Sequence, residues 1–241
     1  MKKVSIPKTI PERAIFISFD IDEPMSVPRY QRNLPHLRLE GATYFVTFRL
    51  ADSIPQKIME SWIAERNDWL AAHGLLDSMK KNNPELWNSL YFTIPFTERR
   101  QFELQQQRHV LIELDNCHGD CLLENSHNIV AKALDYFHGQ RVWIGDYVVM
   151  PNHVHVIIQP FPGVKLEDWL YSVKRFSSTN IVHKGQLWQA ESFDRIIRTQ
   201  LELLRTRKYI ANNPTKLHVN SYSLKQMDWL DEYALMPLQE P

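Results

Sequence analysis

At 241 residues the chain is long enough for one domain with a large core, or for one domain carrying an insertion. Its 44% hydrophobic and 11% aromatic content excludes a disordered polymer, and 28 basic against 28 acidic residues exclude nucleic-acid binding by bulk charge, leaving only a local patch for that role. Two cysteines make no disulfide framework, no apolar run approaches the roughly 20 residues that cross a bilayer, and the opening Met-Lys-Lys-Val-Ser-Ile-Pro has no apolar signal core, so a reducing cytoplasm is the expected setting.

Residues 1–40 read as a basic, proline-rich arm, with Pro7, Pro11, Pro24, Pro28 and Pro35 interrupting regular structure. Arg29, Arg32 and Arg38 are interleaved there with Tyr30, a pattern that can hold phosphates and stack on unpaired bases. After Gly41, residues 43–50 (Thr-Tyr-Phe-Val-Thr-Phe-Arg-Leu) are rich in aromatic and β-branched side chains and predict a strand. From 55 to about 115 the signal is helical. Ile58, Met59, Trp62, Ile63, Trp69 and Leu70 recur at helical spacing, Asn82-Asn83-Pro84 interrupts, and a second run covers 97–114. This block reads as a helical insertion, its Trp and Met stripe as core or docking surface. Cys117, His118, Cys121 and His127 lack the second ligand pair of a zinc finger, and no zinc site is expected.

Residues 126–138 predict a helix with an apolar face of Ile129, Val130, Ala133, Leu134 and Phe137, ended by Gly139. Strands follow at 141–150 and 153–159, joined as a hairpin around Pro151-Asn152. Residues 166–181 predict the next helix, and 186–189 (Gln-Leu-Trp-Gln) a short fourth strand. The order β, α, β, β, α, β is the ferredoxin-like arrangement. It is an α+β fold whose antiparallel sheet carries helices on one face and leaves the other free. Thr199 and Glu202 have capping-box spacing and predict a further helix from Gln200 to Asn213, stopped by Pro214. Residues 41–217 form the expected domain and 218–241 a tail.

Alternation along a strand sends His153 and His155 to the same, open face, with Val154, Val156 and Ile158 turned towards the helices. Two neutral imidazoles in that relation can share a metal ion; equally, they can be two polar residues on a solvated face. A cupin-like site would want a carboxylate within 157–160, and a histidine-triad hydrolase a third histidine at Ile157; neither is there. On the last helix Glu202, Arg205, Tyr209 and Asn213 share one side. Between 195 and 216, Arg195, Arg198, Arg205, Arg207, Lys208 and Lys216 stand against one acid, Glu202, and Lys174 and Arg175 extend the patch. Such a cluster is expected to track a phosphate backbone.

The run Met150-Pro151-Asn152-His153-Val154-His155 closely resembles the signature of the REP-associated tyrosine transposases, of the HUH superfamily of single-strand-DNA transposases. Tyr209-Ile210-Ala211-Asn212-Asn213-Pro214 matches that family's tyrosine motif, and the resemblance extends over 34–50 and 121–217. It implies that His153, His155 and Asn213 hold Mg²⁺ or Mn²⁺ and that Tyr209 is the nucleophile. It further implies that single-stranded or hairpin DNA, drawn from palindromic repeats, is cut and rejoined through a 5′-phosphotyrosine. The chain would work as a monomer with its tyrosine in cis, or as a homodimer exchanging tyrosine helices. A domesticated hairpin-binding protein that seldom cuts, and a metal-dependent phosphoesterase with no protein-linked intermediate, are the other readings of the same residues.

Overall fold

The computed structural model of the protein describes residues 29–31, 35–38, 41–218, 220–228 and 230. They divide into two compact units, one formed by Asp52–Asp120 and the other by the chain on either side of it. The first is all helical: α1 (Gln56–Ala72), α2 (Asp77–Asn82), α3 (Pro84–Thr93) and α4 (Phe96–Asp115). The Asn82-Asn83-Pro84 break works as a cap, because Asn83 Oδ1 accepts the Leu86 N–H at 3.1 Å and Pro84 occupies the first helical turn, where no N–H is needed. Leu70, Leu75, Trp87 and Ile94 give this unit a core of its own. It holds seven Lys and Arg against eleven Asp and Glu, a net charge of −4, so in a neutral chain the other unit carries +4.

The second unit begins, within its described part, with a hairpin of two short strands, β1 (Arg29–Gln31) and β2 (Pro35–Leu37). Its main sheet contains β3 (Tyr44–Arg49), β4 (Val142–Val149), β5 (His153–Pro160), β6 (Phe193–Ile196) and β7 (Ser223–Lys225), in the order β6-β3-β5-β4-β7, and every pair is antiparallel. Helices α5 (His127–Tyr136) and α6 (Leu166–Asn180) supply the two crossovers, so the chain has the ferredoxin-like α+β fold with one added edge strand. Val130, Leu134, Trp169 and Val173 of these helices pack on Tyr44, Val46, Phe48, Val154, Val156 and Ile158. The alternation in the sequence is thus obeyed on that side.

The opposite face departs from expectation, for it is not free. Helix α7 (Gln200–Asn212), running into a 3-10 turn at Asn213–Lys216, lays Leu203 and Ile210 on Phe45, Val148, Met150 and Ile157. Strand β4 serves both cores through a bulge between Ile144 and Tyr147. Val142, Ile144, Tyr147 and Val149 face α5 and α6, whereas Val148 and Met150 face α7. Gly145 lies in the bulge, where a Cβ would come within 2.8 Å of Leu230 Cδ1 and 3.0 Å of Ile157 Cβ; only glycine lets these chains approach so closely.

Two expected elements are corrected. The fourth strand is β6, not 186–189, which adds only a bridge between Leu50 and Trp188 and flanking bonds to Ala51 and Arg49. The apolar signal misleads because Asp194 in the middle of β6 is buried, its carboxylate bonded to the Arg38 guanidinium at 2.5 and 3.2 Å. The supposed tail contributes β7, whose Ser223 Oγ lies 2.7 Å from His127 Nδ1 on α5. No helix among the described residues is long and apolar enough to cross a membrane.

Candidate active site

The β4–β5 turn is tight: the Met150 N–H donates to the His153 carbonyl at 2.8 Å, which leaves Pro151 and Asn152 at the tip and puts His153 at the first position of β5. Strand pairing then builds two rows on the α7 face. Arg49 of β3 stands opposite His153; Phe193, Thr47, His155 and Val148 line up in the next row. The two imidazoles converge, with His153 Nε2 and His155 Nε2 3.0 Å apart. His155 stacks on Phe45 at 5.4 Å and 25°.

Both rings are completely buried, which overturns the expectation that they point to an open, solvated face. The cause is α7, which carries Tyr209 across the face that alternation alone leaves open. Burial pushes the His153 pKa down to about 3. The same desolvation, with neighbouring His153 adding to it, holds His155 well below its ordinary value. Both rings are neutral at pH 7. Asn152 Oδ1 lies 2.7 Å from His153 Nδ1. A carboxamide oxygen can only accept, so Nδ1 carries the hydrogen and His153 Nε2 is a bare lone pair. On the other ring, Thr47 Oγ1 is 2.7 Å from His155 Nδ1.

Tyr209 arrives from α7, its hydroxyl 3.2 Å from His155 Nε2 and its ring edge-on to Phe45 at 6.1 Å. Asn213, the C-cap residue one turn later, has a buried Oδ1 with no hydrogen-bond partner among the described residues. An orphaned acceptor of this kind costs roughly 1–3 kcal/mol unless something fills it. Among the described residues no three His, Cys, Asp or Glu side chains could jointly hold a metal ion. Asn213, with its unpartnered Oδ1, is the candidate for a third protein ligand. The 3.0 Å between the Nε2 atoms suits a cation of octahedral preference, since two neighbouring ligands at about 2.1 Å lie about 3.0 Å apart. Imidazole and amide donors alone do not select one metal.

Helix α7 is pinned by polar contacts. Thr199 Oγ1 accepts the Glu202 N–H at 3.1 Å, but the expected capping box is not reciprocal, because Glu202 Oε2 takes the Arg198 N–H at 2.8 Å. Arg195 reaches both Glu202 Oε1 at 2.6 Å and Thr206 Oγ1 at 2.8 Å. Arg207 Nε donates to Asp146 Oδ2 at 2.8 Å, and Asp146 Oδ1 also takes the Met227 N–H at 2.9 Å. Asp146 lies in the bulge and is wholly buried.

The cations expected to meet DNA thus separate. Arg38, Arg195 and Arg207 are engaged with carboxylates of their own chain, Arg38 with Glu167 as well as Asp194. Lys174 donates to the Gln189 and Ala190 carbonyls. Arg175, Arg205 and Lys208 are exposed and Arg198 half-buried, Arg29 belongs to β1, and Arg32 lies outside the described residues. Sequence reasoning missed Thr47 and Asp146. Thr47 gave no signal, being an ordinary strand former; Asp146 did, as a lone charge inside Val-Trp-Ile-Gly-Asp-Tyr-Val-Val.

No protein-family model and no curated protein matches the sequence. Among solved structures the chain is similar to one described as "Structure of the REP associates tyrosine transposase bound to a REP hairpin", with 14% identity over 77% of this chain and 74% of that one, and a TM-score of 0.41.

Proposed function

We propose that this chain is a metal-dependent strand transferase that cuts single-stranded DNA at hairpin or palindromic-repeat ends and rejoins it through a 5′-phosphotyrosine on Tyr209. The observation that carries the reading is the convergence of Tyr209 Oη on His155 Nε2, across 54 residues of chain, beside the partner ring of His153. The two motifs that meet there are the two that resemble the HUH transposases.

In this reading Tyr209 Oη bonds to the scissile phosphorus and loses its proton, and the 3′ oxygen departs with the bonding pair to become a free hydroxyl. Attack by another 3′ hydroxyl releases the tyrosine, so the energy of the phosphodiester is kept for rejoining. Mg²⁺ or Mn²⁺ held by His153 Nε2, His155 Nε2 and Asn213 Oδ1 would supply the positive charge that offsets the phosphate oxygens. Phe45 and the Tyr209 ring cover His155, and Arg205, Lys208 and Arg175 offer exposed cations to the backbone. The test is incubation with labelled single-stranded hairpins and Mn²⁺, followed by a search for a denaturation-resistant adduct; Tyr209→Phe should form none. Complete burial of the imidazoles supports a second reading, a hairpin-binding protein that seldom cuts, because a phosphate has no exposed ring surface to meet. Hairpin retention with no adduct under any divalent cation would select it.

A further inference from the structure

Strand pairing gives the His153 row a cation of its own. The Leu50 N–H bonds to the Asn152 carbonyl at 2.9 Å, so Leu50 and Asn152 form a hydrogen-bonded pair. Alternation along an antiparallel ladder then makes Arg49–His153 and Thr47–His155 non-hydrogen-bonded pairs, the kind whose side chains come closest. The 2.7 Å contact between Thr47 Oγ1 and His155 Nδ1 is the outcome for one of them. Arg49 stands to His153 as Thr47 stands to His155, on the same face and two residues further along β3. Its Nη1 donates to the Leu50 carbonyl at 3.3 Å, a long bond that keeps the guanidinium at the end of the sheet, beside the β4–β5 turn.

We propose that Arg49 is a catalytic residue that grips the scissile phosphate, its guanidinium bonding the non-bridging oxygens while Tyr209 Oη attacks. This rests on the strand-transferase reading and adds a group to it. Thr47, His153 and His155 are buried, but Arg49 is half-buried, so it meets both the histidine row and the solvent from which a strand arrives. Arg195 and Arg207 already bond Glu202 and Asp146, and Arg175 belongs to α6, on the other side of the sheet. As the bond from Tyr209 Oη to phosphorus forms, negative charge builds on the non-bridging oxygens. A planar guanidinium offers them two parallel N–H donors and stays charged throughout the pH range of the folded chain. No proton passes through Arg49; it offsets charge and fixes how the phosphate is turned.

The experiment has two arms, both on the full chain with labelled single-stranded hairpins. In the first, single-turnover adduct formation is followed with Mn²⁺. Arg49→Gln should react about 100–1,000-fold more slowly, the usual loss of one donor aimed at developing charge, and Arg49→Lys should recover part of the rate. In the second, hairpin affinity is measured in Tyr209→Phe protein, which leaves the strand uncut, with a chelator present to remove any metal contribution. A neutral methylphosphonate at the mapped cleavage position should weaken binding about 10–100-fold, as for a lost charge-assisted hydrogen bond, and adding Arg49→Gln should abolish that difference. A native reaction rate in Arg49→Gln overturns the proposal. So does a methylphosphonate penalty that persists in the double variant, since a merely structural role would leave it unchanged. Should Arg49→Gln fail to fold, Arg49→Lys keeps the stem and the charge, and a native rate and a native penalty in it overturn the forked grip. A native chain that forms no adduct with any divalent cation overturns the strand-transferase reading itself, and the role of Arg49 with it; adduct formation by the native chain separates the two failures.

Discussion

Arg207 belongs to the basic cluster beside the tyrosine, yet its contacts predict a phenotype in stability rather than in DNA binding. Arg207→Met keeps the aliphatic stem and deletes the guanidinium, whose Nε lies 2.8 Å from a carboxylate with no exposed surface. Removing one partner of a buried pair costs roughly 3–5 kcal/mol, because the remaining charge stays desolvated. Asp146 would keep the Met227 N–H at 2.9 Å, which places the expected loss at the lower end, about 3 kcal/mol. For a chain of this size that is a fall of about 6–12 °C in Tm. The assay is thermal and urea unfolding of Arg207→Met beside Arg205→Met, an exposed neighbour expected to move stability by less than about 0.5 kcal/mol. Adding Asp146→Asn to Arg207→Met should recover part of the loss, since no buried charge then remains. An Arg207→Met protein as stable as the native one, or a double variant worse than the single, would refute the argument.

Arg205→Gln with Lys208→Gln should flatten the salt dependence of hairpin binding by about 1.4–1.8 in log–log slope, from two phosphate contacts, whereas Arg207→Met should leave the slope unchanged; filter binding across a salt series decides. Tyr209→Phe should abolish the covalent adduct and lower stability by no more than about 1 kcal/mol, for one hydroxyl contact at 3.2 Å, so loss of hairpin binding in that variant would count against a purely chemical role. His155→Ala should be destabilised by roughly 2–5 kcal/mol, contrary to an exposed position, because it empties the place beside Phe45; an unchanged urea midpoint would contradict its burial. Metal-free protein should lose stability as pH falls. The unfolded histidines titrate near 6.5 and the folded ones lower, so below about pH 6.5 the unfolded chain binds more protons. The loss reaches at most about 1.4 kcal/mol per pH unit per ring, and a urea midpoint constant from pH 7.5 to 5 would sink the assignment.

What could be read from the chain was what short-range chemistry dictates. Strand β3 declared itself through Tyr44, Phe45, Val46 and Phe48, and the two histidines through alternation; Asn82-Asn83-Pro84 was legible only as an interruption, and the helix it starts, Pro84–Thr93, was not. What stayed hidden depended on pairings between distant residues. Asp194 looks like a break in an apolar run until Arg38, 156 residues earlier, neutralises it. The arginines near the tyrosine look like a uniform phosphate track, because their carboxylate partners include Asp146 in a strand far away in sequence. The burial of His153 and His155 follows from where α7 lies, a tertiary fact that no periodicity within β5 contains.

The bulge in β4 has a consequence for how this chain can vary. Because one extra residue separates Ile144 from Tyr147, the strand exchanges odd for even as it crosses the sheet: even positions meet α5 and α6 before the bulge, odd positions after it. Deleting Gly145 would remove the extra residue, so Ile144 and Tyr147 would pair with Ile158 and Val156 in plain alternation and residues 147–150 would keep their sides. Straightening the strand with every residue kept would instead swap Val148 and Met150 with Tyr147 and Val149, thrusting a phenol into the histidine row and costing α7 its anchor. A single-codon deletion of Gly145 should therefore preserve both faces of β4, its cost falling on the contact of Asp146 with Arg207, whereas the loop tip at Gly163, where an added Cβ meets nothing within 4 Å, has no such frame to keep.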